Sequence, residues 1–134
     1  MVRLLAITIA PLVTAILLLT DSSGSARQTV KLAEKDSGGT VEMYVGDALE
    51  VVLKGNPTTG YMWEVASVDS AVLEQVGEAE FKTDRRARGS GGQITMRFEA
   101  LKVGKIYLKL IHHRPFEKNV PPIKIFEVTI IVKQ

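Results

Sequence analysis

From residue 27 onward, apolar and polar positions alternate with a period of two. That period belongs to strands with one buried and one wet face, since successive side chains point to opposite sides. Val30 and Leu32 open the pattern. Asp36-Ser37-Gly38-Gly39 then reads as a turn. Val41, Met43 and Val45 share one face, with Glu42 and Tyr44 between them, and Gly46-Asp47 turns the chain again. Leu49, Val51 and Leu53 follow on one face, then Tyr61, Trp63 and Val65. Val72 to Val76 is a short apolar run. Ile94, Met96, Phe98 and Ala100 alternate cleanly with Gln93, Thr95, Arg97 and Glu99. After a turn at Gly104 come Ile106, Leu108 and Leu110, and the last strand carries Phe126, Val128, Ile130 and Val132. Seven or eight short strands separated by turn signals predict an all-β, antiparallel sandwich. No segment beyond residue 26 has a capped helical stripe; Asp69-Ser70-Ala71 supports one short turn at most.

The first 26 residues break the pattern. Met1-Val2-Arg3 is a short basic start, Leu4 to Thr20 is almost wholly apolar, and Asp21 to Ala26 is small and polar. This is the three-part layout of a secretory signal peptide. Gly24-x-Ala26 places cleavage after Ala26; Ser22-x-Gly24 is a weaker choice. An uncleaved anchor is the alternative, although the apolar run is short for a span of about 20 residues. No Cys follows it, which excludes a bacterial lipoprotein. The expectation is residues 1–26 as signal peptide, residues 27–134 as one domain, and a secreted or periplasmic product. A monomer that leaves the membrane once the leader is cleaved is expected.

Composition narrows the chemistry. Of 134 residues, 17 are Lys or Arg and 15 are Asp or Glu, for a net charge of +2. That is too little to argue for nucleic acid. With no cysteines there is no disulfide framework, no thiolate nucleophile and no Cys-based metal site. His112 and His113 are adjacent on a strand, so they point to opposite faces and cannot chelate one metal together. His112 keeps the phase of Leu108 and Leu110, while His113 borders a loop. Neither belongs to a recognisable triad with a serine nucleophile. No enzyme, metal or cofactor is expected.

Three loops remain. Asn56-Pro57-Thr58-Thr59-Gly60-Tyr61 is a stiff turn: Pro57 sets its own φ and pushes Asn56 to extended backbone, and Gly60 accepts positive φ. It offers the hydroxyls of Thr58 and Thr59 to a partner. The second loop carries Arg85, Arg86 and Arg88, then Gly89-Ser90-Gly91-Gly92. No helix follows to make this a phosphate cradle. The basic run reads first as a solvated tip, with an acidic partner or a processing site as alternatives. The third loop runs from His112 through Arg114-Pro115-Phe116 to Pro121-Pro122. An aromatic in a proline-stiffened loop suits a binding anchor. About two strands separate each loop from the next, so all three can share one edge of the sandwich.

These three motifs, in this order and with Trp63 at a core position, resemble the chagasin-type inhibitors of papain-like cysteine peptidases. The resemblance covers essentially all of residues 27–134. It departs at Phe116, where the family most often has Trp; Phe lacks the indole N–H and some contact area. The resemblance implies an immunoglobulin-like β-sandwich and reversible, tight-binding inhibition by a three-loop wedge. It implies Thr58 against the catalytic Cys–His pair with Thr59 beside it. It implies Gly89, Ser90, Gly91 and Gly92 along one wall of the cleft, with Arg114, Pro115 and Phe116 on the primed side or rim. A secreted immunoglobulin-like adhesion or ligand-binding module is the alternative, and a structural domain of the cell envelope a third reading.

Overall fold

The structure, a computed structural model, describes residues 27–83 and 91–134. Residues 1–26, with the predicted leader, and residues 84–90, with Arg85, Arg86, Arg88, Gly89 and Ser90, lie outside the described residues. The alternating segments form nine strands: β1 Thr29–Ala33, β2 Thr40–Tyr44, β3 Ala48–Gly55, β4 Met62–Ser67, β5 Leu73–Gln75, β6 Glu80–Thr83, β7 Gly92–Ala100, β8 Gly104–His113 and β9 Lys124–Lys133. They make two sheets. One has the order β1-β3-β7-β5, with β6 also on β7; the other is β2-β9-β8-β4.

The all-β sandwich is as expected; two details differ. The described strands number nine, not seven or eight. β5 and β6 both run antiparallel to β7, β5 against Phe98–Ala100 and β6 against Gly92–Thr95. They are two halves of one interrupted strand, broken near Gly77, whose φ is +72°. The sheets are also not wholly antiparallel. β1 pairs parallel with β3, and β2 pairs parallel with β9. The chain crosses from the first sheet to the second between β1 and β2, through a 3-10 turn at Glu34–Asp36. A period of two sets which face a residue takes. It says nothing about which strand lies alongside, or in which direction.

The core is the set of inward positions from both sheets. Leu49, Val51 and Leu53 of β3 and Met96 and Phe98 of β7 face Leu108 and Leu110 of β8 and Phe126, Val128 and Ile130 of β9, all nearly inaccessible. Val45 does not continue the Met43 face; it lies beyond β2 and is 42% exposed. At the end of the sandwich where β3 begins, Asp47 does more than turn the chain. Its buried carboxylate accepts N–H bonds from Gln28 (3.1 Å) and Tyr44 (3.0 Å), and its carbonyl accepts one from Ala100 (3.0 Å). Those bonds tie β1, β2, β3 and β7 together at one end.

The loop edge as candidate functional site

The opposite end gathers the loops. β3 runs into the first loop and β7 leaves the second, and Gly55 pairs with Gly92 at that end. The third loop joins β8 to β9. Because β5 and β6 run the same way and count once, two strands separate each loop from the next.

The first loop is a 3-10 turn over Pro57–Thr59, capped by Asn56. Asn56 is extended, with φ −141° and ψ 94°, and Gly60 is left-handed at φ +87°, as the Asn-Pro and Gly signals require. The hydroxyls differ from expectation. Thr58 Oγ1 donates to Asn56 Oδ1 (2.6 Å), and Thr59 Oγ1 donates to the Asn56 carbonyl (2.7 Å) while accepting from Tyr61 N (3.3 Å). Both hydroxyl protons brace the loop from within. What the turn presents outward is the exposed Pro57, Thr58 and Thr59 side chains on a backbone already held in shape.

The third loop is packed on the first. Arg114 Nε donates to the Thr59 carbonyl (3.1 Å), its guanidinium lies 4.3 Å from the centroid of the Tyr61 ring, and Nη1 is 3.4 Å from Glu117 Oε2. Arg114 therefore works inward, as a staple between loops. A Cβ on Gly60 would lie 3.3 Å from two atoms of the Phe116 ring, so a glycine here lets the aromatic lie close. Phe116 is itself 69% exposed, and Pro115 is exposed beside it. The loop closes at its base through Ile123 N donating to the His112 carbonyl (2.9 Å).

Only the foot of the second loop is described. Gly91 is buried with φ +87°, and a Cβ there would lie 2.7 Å from the Gly55 carbonyl and 2.9 Å from Asn56 Cβ. These glycines let the foot of the second loop dock against the first. Gly55 belongs with them: its missing Cβ would sit 2.5 Å from Ile94 Cδ1. Its place just before Asn56-Pro57 could have marked it. Glu117, the partner of Arg114, carried no local signal.

Beneath the edge, Trp63 and His112 stack with ring centroids 4.7 Å apart and planes 4° apart, and Trp63 Nε1 donates to the Lys54 carbonyl (2.9 Å). Tyr61 leans on the other ring at 5.6 Å. His112 faces inward; His113 faces outward and meets Glu64 Oε1 through Nε2, so the two imidazoles separate as predicted. Among the described residues, no group of three or more His, Cys, Asp or Glu is placed to hold a metal.

Burial disfavours the charged form of His112 and the nearby Lys124 ammonium adds to this, outweighing the pull of Glu34, so its pKa is held below the ordinary value. The unfolded chain then takes up the proton first as pH falls. Stability from the neutral ring is complete above about pH 6.5 and is lost as pH falls below that toward the folded-state value. Melting temperature should thus drop between about pH 7 and pH 5. His112→Phe, which keeps the stacking on Trp63, should flatten that part of the slope. An unchanged slope in the variant would reject this assignment.

Residues 42–130 match the family model described as "Chagasin family peptidase inhibitor I42". The chain is 28% identical to amoebiasin-2 of Entamoeba histolytica over 106 residues, 76% of this chain and 84% of that one. Its fold is similar to the crystal structure of the cysteine protease inhibitor EhICP2 from Entamoeba histolytica, with a TM-score of 0.72, 23% identity, and coverage of 82% of this chain and 100% of that one. It is also similar to Leishmania mexicana ICP, at 31% identity and a TM-score of 0.55, over 73% of this chain and 90% of that one. An immunoglobulin-like sandwich with its loops gathered at one end, matched over most of its length by that model, makes this chain a member of the chagasin family of peptidase inhibitors and not an enzyme.

Proposed function

We propose that the loop edge enters the active-site cleft of papain-like cysteine peptidases and blocks it reversibly, one inhibitor to one enzyme. The observation that carries this is the packing of the first loop on the third. Thr59, Tyr61, Arg114 and Gly60 hold each other, so Pro57, Thr58 and Phe116 are displayed at little further cost in conformational entropy. A 3-10 turn does not present an extended peptide carbonyl to the attacking thiolate, so it fills the cleft without being cut. Thr58 lies at the centre of the exposed turn and would face the catalytic Cys–His pair, with Thr59 beside it. Phe116 and Pro115 would rest on the rim, and Gly89 to Gly92 along the other wall. Membership of an inhibitor family leaves the adhesion-module alternative without an observation in its favour.

The test is titration of papain and a cathepsin L-like peptidase with residues 27–134. Competitive, reversible inhibition is expected, with the inhibitor recovered intact. Thr58→Arg should weaken it by at least about tenfold, roughly 1.4 kcal/mol, because a long side chain holds the turn out of the cleft. Phe116→Ala should also weaken it, mainly through faster dissociation, while Phe116→Trp is tolerated. Melting temperatures should barely move. Wild-type inhibition by both Thr58→Arg and Phe116→Ala would remove the loops from the binding edge.

Residues 1–26 are proposed as an export leader removed after Ala26, on the strength of the Arg3, Leu4–Thr20 and Gly24-x-Ala26 pattern. N-terminal sequencing of the exported protein should begin at Arg27. A soluble cytosolic product that keeps Met1 or Val2 would show the leader to be misread.

A further inference from the structure

The outward face of the second sheet changes character along its length. Trp63, Leu110, His112 and Phe126 are buried in the core, so the alternate positions Met62, Glu64, Ile111, His113 and Ile125 point out. The strand register sets these side by side. Met62 lies opposite His113, Glu64 opposite Ile111, and Ile111 opposite Ile125. Met62 is 48% exposed and Ile125 45%; Ile123, where the third loop enters β9, is 54% exposed. Together they form an apolar patch at the loop end, edged by the Glu64–His113 pair. One step farther from the loops, the outward pair on β8 and β9 is Lys109 with Glu127, and the patch ends there. A wet sheet face needs none of this: threonine at the same positions would suit a strand as well.

We propose that this patch is a fourth contact with the peptidase, resting on an apolar part of the enzyme's rim beyond the third loop; it rests on the inhibitory role assigned to the loop edge. Position points there. The second loop leads into β7 of the first sheet, the first loop crosses from β3 to β4, and the third joins β8 to β9 within the second sheet. The loops therefore follow one another from the first sheet to the second, and the outward face of the second sheet is the next surface on that line. Met62 directly follows Tyr61, and Ile111 is two residues, roughly 7 Å of strand, from His113 at the foot of the third loop. An enzyme rim that reaches past Phe116 meets Met62 and Ile125 next. Size points the same way. Four side chains fall far short of the roughly 800 Å² per partner of a stand-alone interface, too little to hold a second copy of this chain. Joined to the loop edge, they add buried area without a separate docking cost. An adaptable methionine among apolar neighbours with a polar margin is the make-up of an interface. Lying away from the reacting groups, the patch would set which peptidases are held most tightly.

The test combines Met62→Gln with Ile125→Thr in one chain and measures inhibition of papain and of a cathepsin L-like peptidase. Glutamine keeps the length of methionine and threonine keeps the β-branch, so the melting temperature should barely move. Inhibition of at least one of the two enzymes should weaken by about fivefold or more, mainly through faster dissociation. A second measurement needs no variant. The Met62 and Ile125 methyl signals of the labelled inhibitor should be shielded from a soluble paramagnetic probe once the peptidase is bound. Val103, 51% exposed in the β7–β8 turn at the opposite end, should stay open to it. Methyl groups that stay open in both complexes, or a double variant that inhibits both enzymes within about twofold of wild type, would overturn the proposal. Shielding of the same methyl groups in the inhibitor alone, with a dimer in sedimentation, would give the patch to a second copy and overturn it too. If only this proposal fails, the wild-type protein still inhibits; if the inhibitor reading fails, the wild type does not inhibit at all.

Discussion

Trp63→Ala is expected to lower folding stability by about 3–5 kcal/mol, the range for removing a large aromatic from a packed core. The ring is 4% exposed and lies between the sheets at the loop end. Three losses coincide. A cavity opens where the indole stood. The Lys54 carbonyl loses the Nε1–H that satisfies it at 2.9 Å. His112 loses the plane it stacks on. Trp63→Phe should cost less, keeping most of the burial and losing the hydrogen bond, which is worth about 1 kcal/mol. Denaturant unfolding of the three proteins measures this directly. Inhibition should fall in Trp63→Ala because the loops lose their footing, and should recover where conditions restore the fold. A variant with wild-type unfolding but no inhibition would move Trp63 from the core to the interface.

Gly92→Ala is expected to be the most damaging of the single-methyl additions. A Cβ at residue 92 would lie 1.9 Å from the Lys82 carbonyl oxygen and 2.9 Å from Thr83 Cα. Both are backbone atoms, so no side chain can swing aside, and β6 must separate from β7. Overpacking of this kind costs about 1–3 kcal/mol, occasionally more. The displacement falls on the four residue pairs from Glu80–Thr95 to Thr83–Gly92, and those pairs anchor both feet of the second loop. Hydrogen exchange at Glu80 to Thr83 should speed up, and inhibition should weaken beyond what the loss of stability explains. Gly38→Ala is the control. Gly38 has φ +91° with nothing within 4 Å of its missing Cβ, so it should lose only the roughly 1–2 kcal/mol of a left-handed non-glycine residue and inhibit normally. Equal behaviour of the two variants would mean that the close approach at Gly92 does not position the loop.

The amino-acid order by itself determined whatever a few neighbouring residues can settle. The period of two placed Leu49, Val51, Leu53, Met96, Phe98 and the β8 and β9 apolar positions inside, because side-chain direction alternates along any strand. Asn56, Pro57 and Gly60 shaped the first loop, because φ restriction and Asx capping act within four residues. The phase of the strand turned His112 inward and His113 outward. Tertiary structure decided the rest. Which strands are neighbours, and that two of those pairings are parallel, depends on contacts between segments far apart in the chain. Arg114 looked like a residue for a partner, but Thr59, 55 positions away, takes its Nε–H. The threonine hydroxyls looked free and are spent on Asn56. The glycines of the second loop looked like a wall for a partner's cleft, but at Gly91 and Gly92 the first loop and β6 of this chain itself come too close for a Cβ. Each of these rests on atoms brought together by folding, where distance in space has no counterpart in distance along the chain.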